Sequence, residues 1–167
     1  MHKRIAVHPI CFPGLTPLDY LEQCQALGVS RVGFLSPALL DDAVSVELKN
    51  ALSVTDLAVE SITHLFCQGP LPVDSTRRRE VRDSLLKLID RAASLDAHSI
   101  YMLTGGHANA AWEDDADCFC NAIAPCVDAA KAAGVALSVE NASALYADLH
   151  IAHSLADTVA TRERATA

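Results

Sequence analysis

The chain contains 167 residues, a length that predicts a single domain. Hydrophobic residues make up 51% and charged residues 20%, so the composition supports a core and excludes an intrinsically disordered chain. The 13 Lys and Arg residues against 21 Asp and Glu residues give a net charge of −8, which disfavours a dedicated nucleic-acid-binding protein.

No targeting or membrane segment is predicted. The apolar run after the basic N-terminal start is interrupted at His8 and Pro9, which leaves it shorter than a secretory signal needs. No stretch reaches the roughly 18 apolar residues of a membrane span. The 6 cysteines contain no CxxC pair and no framework spacing, so we expect reduced thiols and a cytoplasmic protein with no membrane partner.

Short β-prone runs alternate with longer runs of helical period from one end of the chain to the other. This alternation is typical of βα units around a parallel sheet, and it predicts five such units in one α/β domain covering 1–167. The predicted strands are 4–8, 31–35, 57–64, 99–103 and 135–139. The predicted helices are 17–27, 37–52, 77–95, 112–133 and one that starts at 149 and frays over 161–167.

Local signals mark some of the helix boundaries. Thr16 is the predicted N-cap of the first helix, and Gly28 is its C-terminal glycine. Pro125 lies inside 112–133, and a proline removes a helical hydrogen bond. This region is therefore predicted as two helical pieces, the second of which begins near the proline.

Parallel α/β folds gather their functional residues at the carboxyl ends of the strands. The side chains at or just beyond the five predicted strand ends are His8, Ser36, His64, His107 and Glu140. Imidazole and carboxylate groups together suit a divalent Zn, Mn, Fe or Co ion, and a carboxylate can take a proton from a carbon next to a carbonyl. The strand ends therefore predict a metal-dependent proton-transfer site.

Each of these residues also has a structural interpretation. For His8 we favour a strand-end histidine that bonds to a neighbouring loop, whereas ligand and structural roles stay equally open for His64 and His107. Glu140 is favoured as functional, because it ends an apolar strand and shares its face with Ala136 and Ser138.

Other polar residues have simpler interpretations. Glu60 shares its strand face with His64, so it would need a partner or a bulge. The acidic residues of 113–117 lie at a helix start, where the helix dipole explains them. His150 and His153 are three residues apart and are interpreted as part of a solvated helix face.

Three motifs resemble a known family. The segment 124–141, APCVDAAKAAGVALSVEN, is similar to the part of the sugar phosphate isomerase/epimerase superfamily in which a helix ends in Gly-Val and the next strand ends in Glu-Asn. THLF at the end of the third strand and LTGGH at the end of the fourth are also similar. This superfamily comprises the xylose isomerase-like TIM barrels and includes endonuclease IV, and the resemblance covers nearly the whole chain.

The resemblance implies roles for particular residues. Glu140 matches the first metal-binding glutamate of the superfamily, which also serves as a proton-transfer base in the epimerases. His64 and His107 match histidines that bind zinc in the endonuclease branch and line the substrate pocket in many isomerases. His8 and Asn141 are expected to contact the substrate. The implied cofactor is a divalent metal ion, either Mn, Zn, Mg or Co.

The chain also departs from the superfamily pattern. The remaining ligands of the superfamily come from the sixth to eighth strands, and five strands are predicted here. The expected fold is therefore a partial (β/α) TIM barrel that is incomplete, or truncated, at its C-terminal side. We expect a second copy or a partner chain to cover the open edges.

Two classes of function are consistent with these observations. The first is a metal-dependent isomerase or epimerase that abstracts a proton next to a carbonyl of a sugar, sugar phosphate or other carbohydrate-like substrate; a dehydratase or lyase would share this step. The second is a non-catalytic partial barrel that acts as a binding or assembly module. An AP-endonuclease-like activity is a further alternative, which the net charge of −8 disfavours.

Overall fold

Five parallel strands form one sheet in the computed structural model, which describes residues 2–109 and 111–165. The strands are β1 (Ala6–Val7), β2 (Arg31–Leu35), β3 (Ala58–Leu65), β4 (Ser99–Leu103) and β5 (Ala136–Val139). Each strand pairs with the next one along the chain, in the order β1-β2-β3-β4-β5. This arrangement confirms the predicted α/β partial barrel.

Six α-helices follow the strands in the part of the chain that the structure describes. They are α1 (Pro17–Ala26), α2 (Ser36–Leu40), α3 (Asp42–Ser53), α4 (Ser75–Ser94), α5 (Trp112–Ala133) and α6 (Leu155–Ala165), and short 3₁₀ turns lie at Pro9–Cys11 and Ala144–Tyr146. Thr16 is the N-cap of α1, and its hydroxyl oxygen accepts a hydrogen bond of 3.2 Å from the Asp19 backbone N–H. Gly28 follows α1 with a positive φ of 65°, as the sequence predicted.

The region 37–52 was predicted as one helix, and this prediction is wrong. The chain leaves the helical conformation at Asp41, whose φ of −74° and ψ of 122° are those of an extended residue. The Asp41 carboxylate accepts hydrogen bonds of 3.0 Å from the backbone N–H groups of Ala43 and Val44. Aspartate is a strong N-cap, so it ends α2 and starts α3 within one residue.

The prediction of two helical pieces around Pro125 is also wrong. The helix α5 is continuous from Trp112 to Ala133 and contains Pro125 in its interior. Ile123 and Cys126 on either side of the proline are both buried, so the same helix face packs against the core before and after it. This burial outweighs the hydrogen bond that the proline removes.

The last helix starts later than predicted. Residues 149–154 form an irregular segment, and α6 begins at Leu155. The predicted fraying from Thr161 is wrong as far as Ala165, because Thr161 is fully buried and its hydroxyl donates to the Asp157 backbone oxygen at 2.8 Å. Residues 166 and 167 lie outside the described part of the chain.

The two faces of the sheet differ in burial. One face packs against helices, and its side chains are almost fully buried: Val32, Phe34, Ile62, Ile100 and Met102. The opposite face, which we call the open face, carries partly or fully exposed residues on its three later strands: Ser61, Thr63, Ser99, Tyr101, Ala136 and Ser138. These residues pair in two rows across β3, β4 and β5, so the open face corresponds to the interior of a closed barrel.

The sequence predicted that Glu60 would need a partner or a bulge, and the structure shows both. The register between β2 and β3 shifts between Val32 and Gly33, so Glu60 lies at a bulge. Its carboxylate forms a salt bridge with Arg31 at the exposed amino end of the sheet. Because of this bulge, the regular alternation of β3 side chains between the two faces of the sheet begins at Ser61 and continues to His64.

Within the described residues, no helix is long and apolar enough to cross a membrane. All six cysteines carry free thiols, and four of them are buried: Cys24, Cys67, Cys120 and Cys126.

Candidate active site

Glu140 directly follows β5 at the carboxyl edge of the sheet. Its backbone N–H donates a hydrogen bond of 3.0 Å to the Met102 carbonyl oxygen, which extends the pairing of β4 and β5 by one residue. The alternation along β5 places the carboxylate on the open face with Ala136 and Ser138, and the side chain is 31% exposed. The carboxylate is therefore accessible and has small neighbours on its own strand.

Tyr101 of β4 lies beside this carboxylate on the open face. Burial, and secondarily the Glu140 carboxylate, raise the pKa of Tyr101 to about 12. The phenol therefore stays protonated near neutral pH and can donate a hydrogen bond at the sheet edge. Tyr101 pairs with Ser138 on β5 and with Thr63 on β3, so it lies in the middle of the open face.

His150 approaches Glu140 from the segment before α6. Its Nε2 atom is 3.6 Å from Oε2 of Glu140, and the ring is 1% exposed. Neither ring nitrogen of His150 has a hydrogen-bond partner among the described residues. Burial lowers the pKa of His150, although the Glu140 charge acts in the opposite direction.

His107 forms a second polar cluster in the loop after β4. Its Nδ1 lies 2.8 Å from Oδ2 of Asp115, and its Nε2 lies 3.3 Å from Nε2 of His153. Nδ1 of His153 lies 3.1 Å from the Ala142 carbonyl oxygen. Because the His107 side chain is 34% exposed, the cluster is open to solvent.

Asp115 holds the loop around His107 in place. This carboxylate is fully buried, and its Oδ1 atom accepts hydrogen bonds of 2.9 to 3.1 Å from the Ala108 N–H and from the backbone and side-chain nitrogens of Asn109. The prediction that the helix dipole alone explains the acidic residues at this position is therefore wrong for Asp115. Its neighbour Asp114 is exposed.

Two glycines let the segment before α6 pack against the loop after β4. Gly105 has a φ of 97°, and its N–H donates to the Leu149 carbonyl oxygen at 2.9 Å. A Cβ atom on Gly106 would lie 2.6 Å from the Asp148 carbonyl oxygen. This close backbone approach brings His150 and His153 to the carboxyl edge of the sheet. The sequence interpretation of these two histidines as a solvated helix face is therefore wrong, since both precede α6 and His150 is buried.

His8 and Asn141 lie at the same edge of the sheet. Nε2 of His8 is 3.0 Å from the Thr63 hydroxyl, and its Nδ1 accepts a hydrogen bond from the Ile10 N–H. Burial lowers the pKa of His8. These contacts agree with the structural interpretation of His8, while Asn141 is exposed beside Glu140.

His64 lies on the other face of the sheet. It pairs with Met102 and shares the buried face with Ile62, whereas Thr63 lies on the open face. Nδ1 of His64 is 2.9 Å from the Ser36 hydroxyl at the start of α2, and its buried Nε2 has no partner within the described part of the chain. Burial lowers the pKa of His64 to about 4.

The structure thus groups the predicted residues differently from the expected ligand set. Glu140 lies with Tyr101 and His150, His107 lies with Asp115 and His153, and His64 points toward the helices. In residues 2–109 and 111–165, no group of three or more His, Cys, Asp or Glu side chains is arranged to hold a metal ion.

Part of what sequence reasoning missed had a readable signal. Asp115 lies four and eight residues before Phe119 and Ile123, which are both buried, so helical period places it on the buried face of α5. Tyr101 alternates with the buried Ile100 and Met102, which marks it as an open-face residue. His150 and His153 had no such signal, because irregular backbone positions them.

The family follows from the fold and from a direct comparison. The family model described as xylose isomerase-like TIM barrel matches residues 18–165. The chain therefore belongs to the xylose isomerase-like TIM barrel family. No curated protein matches the chain.

Solved structures share the fold at low sequence identity. Protein SMc04130 from Sinorhizobium meliloti 1021 is 19% identical with a TM-score of 0.81, over 95% of this chain and 58% of that chain. D-psicose 3-epimerase from Clostridium cellulolyticum H10, solved with D-tagatose, is 14% identical with a TM-score of 0.78, over 96% of this chain and 59% of that chain.

A further similar structure is the IolI protein with a bound zinc atom, at 11% identity and a TM-score of 0.76, over 97% of this chain and 59% of that chain. The chain thus spans 58 to 59% of the length of these three structures.

Proposed function

We propose that Glu140 is the metal-binding and proton-transferring carboxylate of a sugar isomerase or epimerase site at the carboxyl edge of the sheet. The observation that carries this proposal is the position of its accessible carboxylate, at the end of β5 on the open face, between the Tyr101 phenol and the buried His150 ring. Membership of the xylose isomerase-like family supports it.

The residues around Glu140 are chemically suited to a divalent metal ion. His150 has two buried ring nitrogens without a hydrogen-bond partner in the described residues, and one of them faces the Glu140 carboxylate at 3.6 Å. Imidazole and carboxylate together suit Zn, Mn or Co. When bound, such an ion would polarise a substrate carbonyl and stabilise the negative charge that forms on its oxygen.

The side chains of this chain would carry out the other parts of the reaction. The Glu140 carboxylate accepts the proton from the carbon next to the carbonyl. In an isomerisation it returns this proton to the neighbouring carbon on the same face of the enediolate, whereas an epimerisation requires a second group that delivers a proton to the opposite face. Tyr101 stays protonated and donates a hydrogen bond to a substrate oxygen. Ala136 and Ser138 are small and exposed, which leaves space for a sugar along the open face.

The substrate class proposed is a ketose or related carbohydrate. One similar structure is a D-psicose 3-epimerase solved with D-tagatose, and another similar structure, the IolI protein, contains a zinc atom. A polyol-type or phosphorylated sugar would use the same carboxylate, and a dehydratase or lyase would begin with the same proton abstraction.

A second candidate is a partial barrel that functions by assembly with another chain. The observation that favours it is the apolar cavity of about 470 Å³ beside β5, the last strand of the sheet, which is lined by Met102, Leu137 and Val159 among others. In a longer barrel the next βα unit would pack there. A second copy or a partner chain would cover the same surface and protect the strand edge.

Metal binding tests the proposed role of Glu140. The full chain is titrated with Mn²⁺ after chelator treatment, and binding is followed by water proton relaxation. Glu140→Gln should weaken Mn²⁺ binding by about 10-fold or more, because replacing even a residue that only hydrogen-bonds to a metal ligand typically costs that much affinity.

Glu80→Gln is the matched control, because Glu80 is an exposed glutamate of α4. It should leave Mn²⁺ affinity unchanged. Equal affinity in the parent chain and in Glu140→Gln would refute the assignment of Glu140 as a metal ligand.

A further inference from the structure

The His107 and His153 rings face each other through the same type of atom. Their Nε2 atoms are 3.3 Å apart, and their ring centroids are 5.5 Å apart. The two histidines come from separate segments, the loop after β4 and the segment before α6. The pair is distinct from Glu140, whose neighbouring imidazole is His150.

The hydrogen bonds on the far side of each ring fix where the protons lie. The Oδ1 atom of the Asp115 carboxylate accepts hydrogen bonds from Ala108 and Asn109. Its Oδ2 atom acts as the acceptor toward His107, so Nδ1 of His107 carries a hydrogen. The Ala142 carbonyl oxygen is also an acceptor, so Nδ1 of His153 carries a hydrogen. In their neutral forms both rings therefore direct an Nε2 lone pair toward the same small space.

Two lone pairs at this separation need an electron-pair acceptor between them. A metal ion with Zn–N bonds of about 2.0–2.1 Å and tetrahedral angles separates two ligand nitrogens by about 3.3–3.4 Å. The observed separation of 3.3 Å matches this value. Metal-binding histidines also typically donate their other N–H to a carboxylate or a backbone carbonyl, and Asp115 and Ala142 provide one of each.

We propose that His107 and His153 bind a divalent transition-metal ion through their Nε2 atoms, with Asp115 and the Ala142 carbonyl as outer-shell partners. Two imidazoles favour zinc, copper or nickel over magnesium. His107 also lines an open cavity of about 360 Å³ with Pro70 and Arg77, so water or an oxygen-bearing ligand can fill the remaining coordination positions.

This proposal is independent of the proposed role of Glu140. Its test is a calorimetric titration of the full, chelator-treated chain with Zn²⁺ in excess Mg²⁺. The parent chain should bind one Zn²⁺ that neither His107→Gln nor His153→Gln binds, while circular dichroism shows that all three chains are folded. Asp115→Asn should weaken Zn²⁺ binding about 10- to 100-fold, because it removes the carboxylate that orients His107.

His98→Gln is the matched control, since His98 is an exposed histidine next to the amino end of β4. It should bind Zn²⁺ like the parent chain. Glu140→Gln should retain the Zn²⁺ that depends on His107 and His153, whatever it loses at the Glu140 site. X-ray absorption at the zinc edge of Glu140→Gln should show two imidazole ligands at about 2.0–2.1 Å.

Three results would overturn the proposal. One is Zn²⁺ affinity in His153→Gln within twofold of the parent chain, and another is an absorption spectrum with sulfur ligands or a single imidazole. The third is a folded parent chain that binds no Zn²⁺. In that case the two Nε2 atoms would share a proton instead of a metal ion. Loss of Mn²⁺ binding at Glu140 with retention of this Zn²⁺ would separate the two proposals.

Discussion

At the scale of single residues, Asp115 shows how one buried carboxylate organises the loop after β4. It is fully buried, and its four hydrogen-bond donors come from His107, Ala108 and Asn109. A carboxylate with several donors is stable in the interior because each oxygen is compensated. Without it, the donors would be left without an acceptor.

We therefore expect Asp115→Ala to lower the free energy of unfolding by about 3 kcal/mol, the cost of leaving buried polar partners unsatisfied. Denaturant unfolding followed by circular dichroism measures this change. Asp114→Ala removes the same type of side chain from an exposed position of the same helical turn and should change stability by about 0.5 kcal/mol or less. Equal losses in the two variants would show that Asp115 acts only through the helix dipole.

Glu140 and His107 differ in how much of their surroundings the sequence predicted. Glu140 was found because it ends an alternating strand with small neighbours, and the structure places it on the open face as that pattern predicts. The contacts of His107 with Asp115 and His153 were not found, because the loop after β4 and the segment before α6 bring the two histidines together at the start of α5, and loop paths are not encoded in periodicity.

At the scale of elements, hydrophobic periodicity located all five strands and most helices. β2 and β4 have the predicted bounds. Buried residues alternate regularly in β4, whereas β2 has a continuous buried centre between two exposed ends. The errors lie at Asp41, Pro125 and residues 149–154, where a side-chain cap, burial of a helix face and loop packing decide the backbone. Burial of the helix face and loop packing depend on tertiary contacts, whereas the Asp41 cap is a local interaction with Ala43 and Val44.

His64 connects two elements, because its ring lies between β3 and the start of α2 at Ser36. Burial lowers its pKa to about 4 in the folded chain, from an ordinary value of 6.5. Between these two pH values the unfolded chain binds a proton at this histidine and the folded chain does not. The free energy of unfolding should therefore fall as the pH decreases from 6.5 to 4, with a contribution on the order of 3 kcal/mol from His64.

Chemical denaturation at a series of pH values measures this dependence. His64→Gln should flatten the slope between pH 6.5 and 4, and comparing slopes makes the test independent of any uniform loss of stability. His98→Gln should retain the parent slope, because His98 is exposed. An unchanged slope in His64→Gln would mean that His64 is accessible to protons in the folded chain.

At the scale of the whole molecule, the sheet is five strands of a fold that closes with eight. The chain spans 58 to 59% of the length of the three similar structures, and the open face carries the candidate carboxylate toward the space that a barrel interior would occupy. The activity proposed for Glu140 therefore depends on how this face is covered as well as on the residues that line it.

The role proposed for Glu140 is proton transfer at a carbon next to a carbonyl. Its most direct test is solvent deuterium incorporation into ketohexoses incubated with the full chain and Mn²⁺, measured by NMR at several protein concentrations. We expect metal-dependent incorporation that Glu140→Gln lowers by about 10²- to 10⁴-fold, the usual contribution of a general base, and that Glu80→Gln leaves unchanged. Incorporation at the same rate in Glu140→Gln and in the parent chain, or none in the parent chain at any concentration, would contradict it.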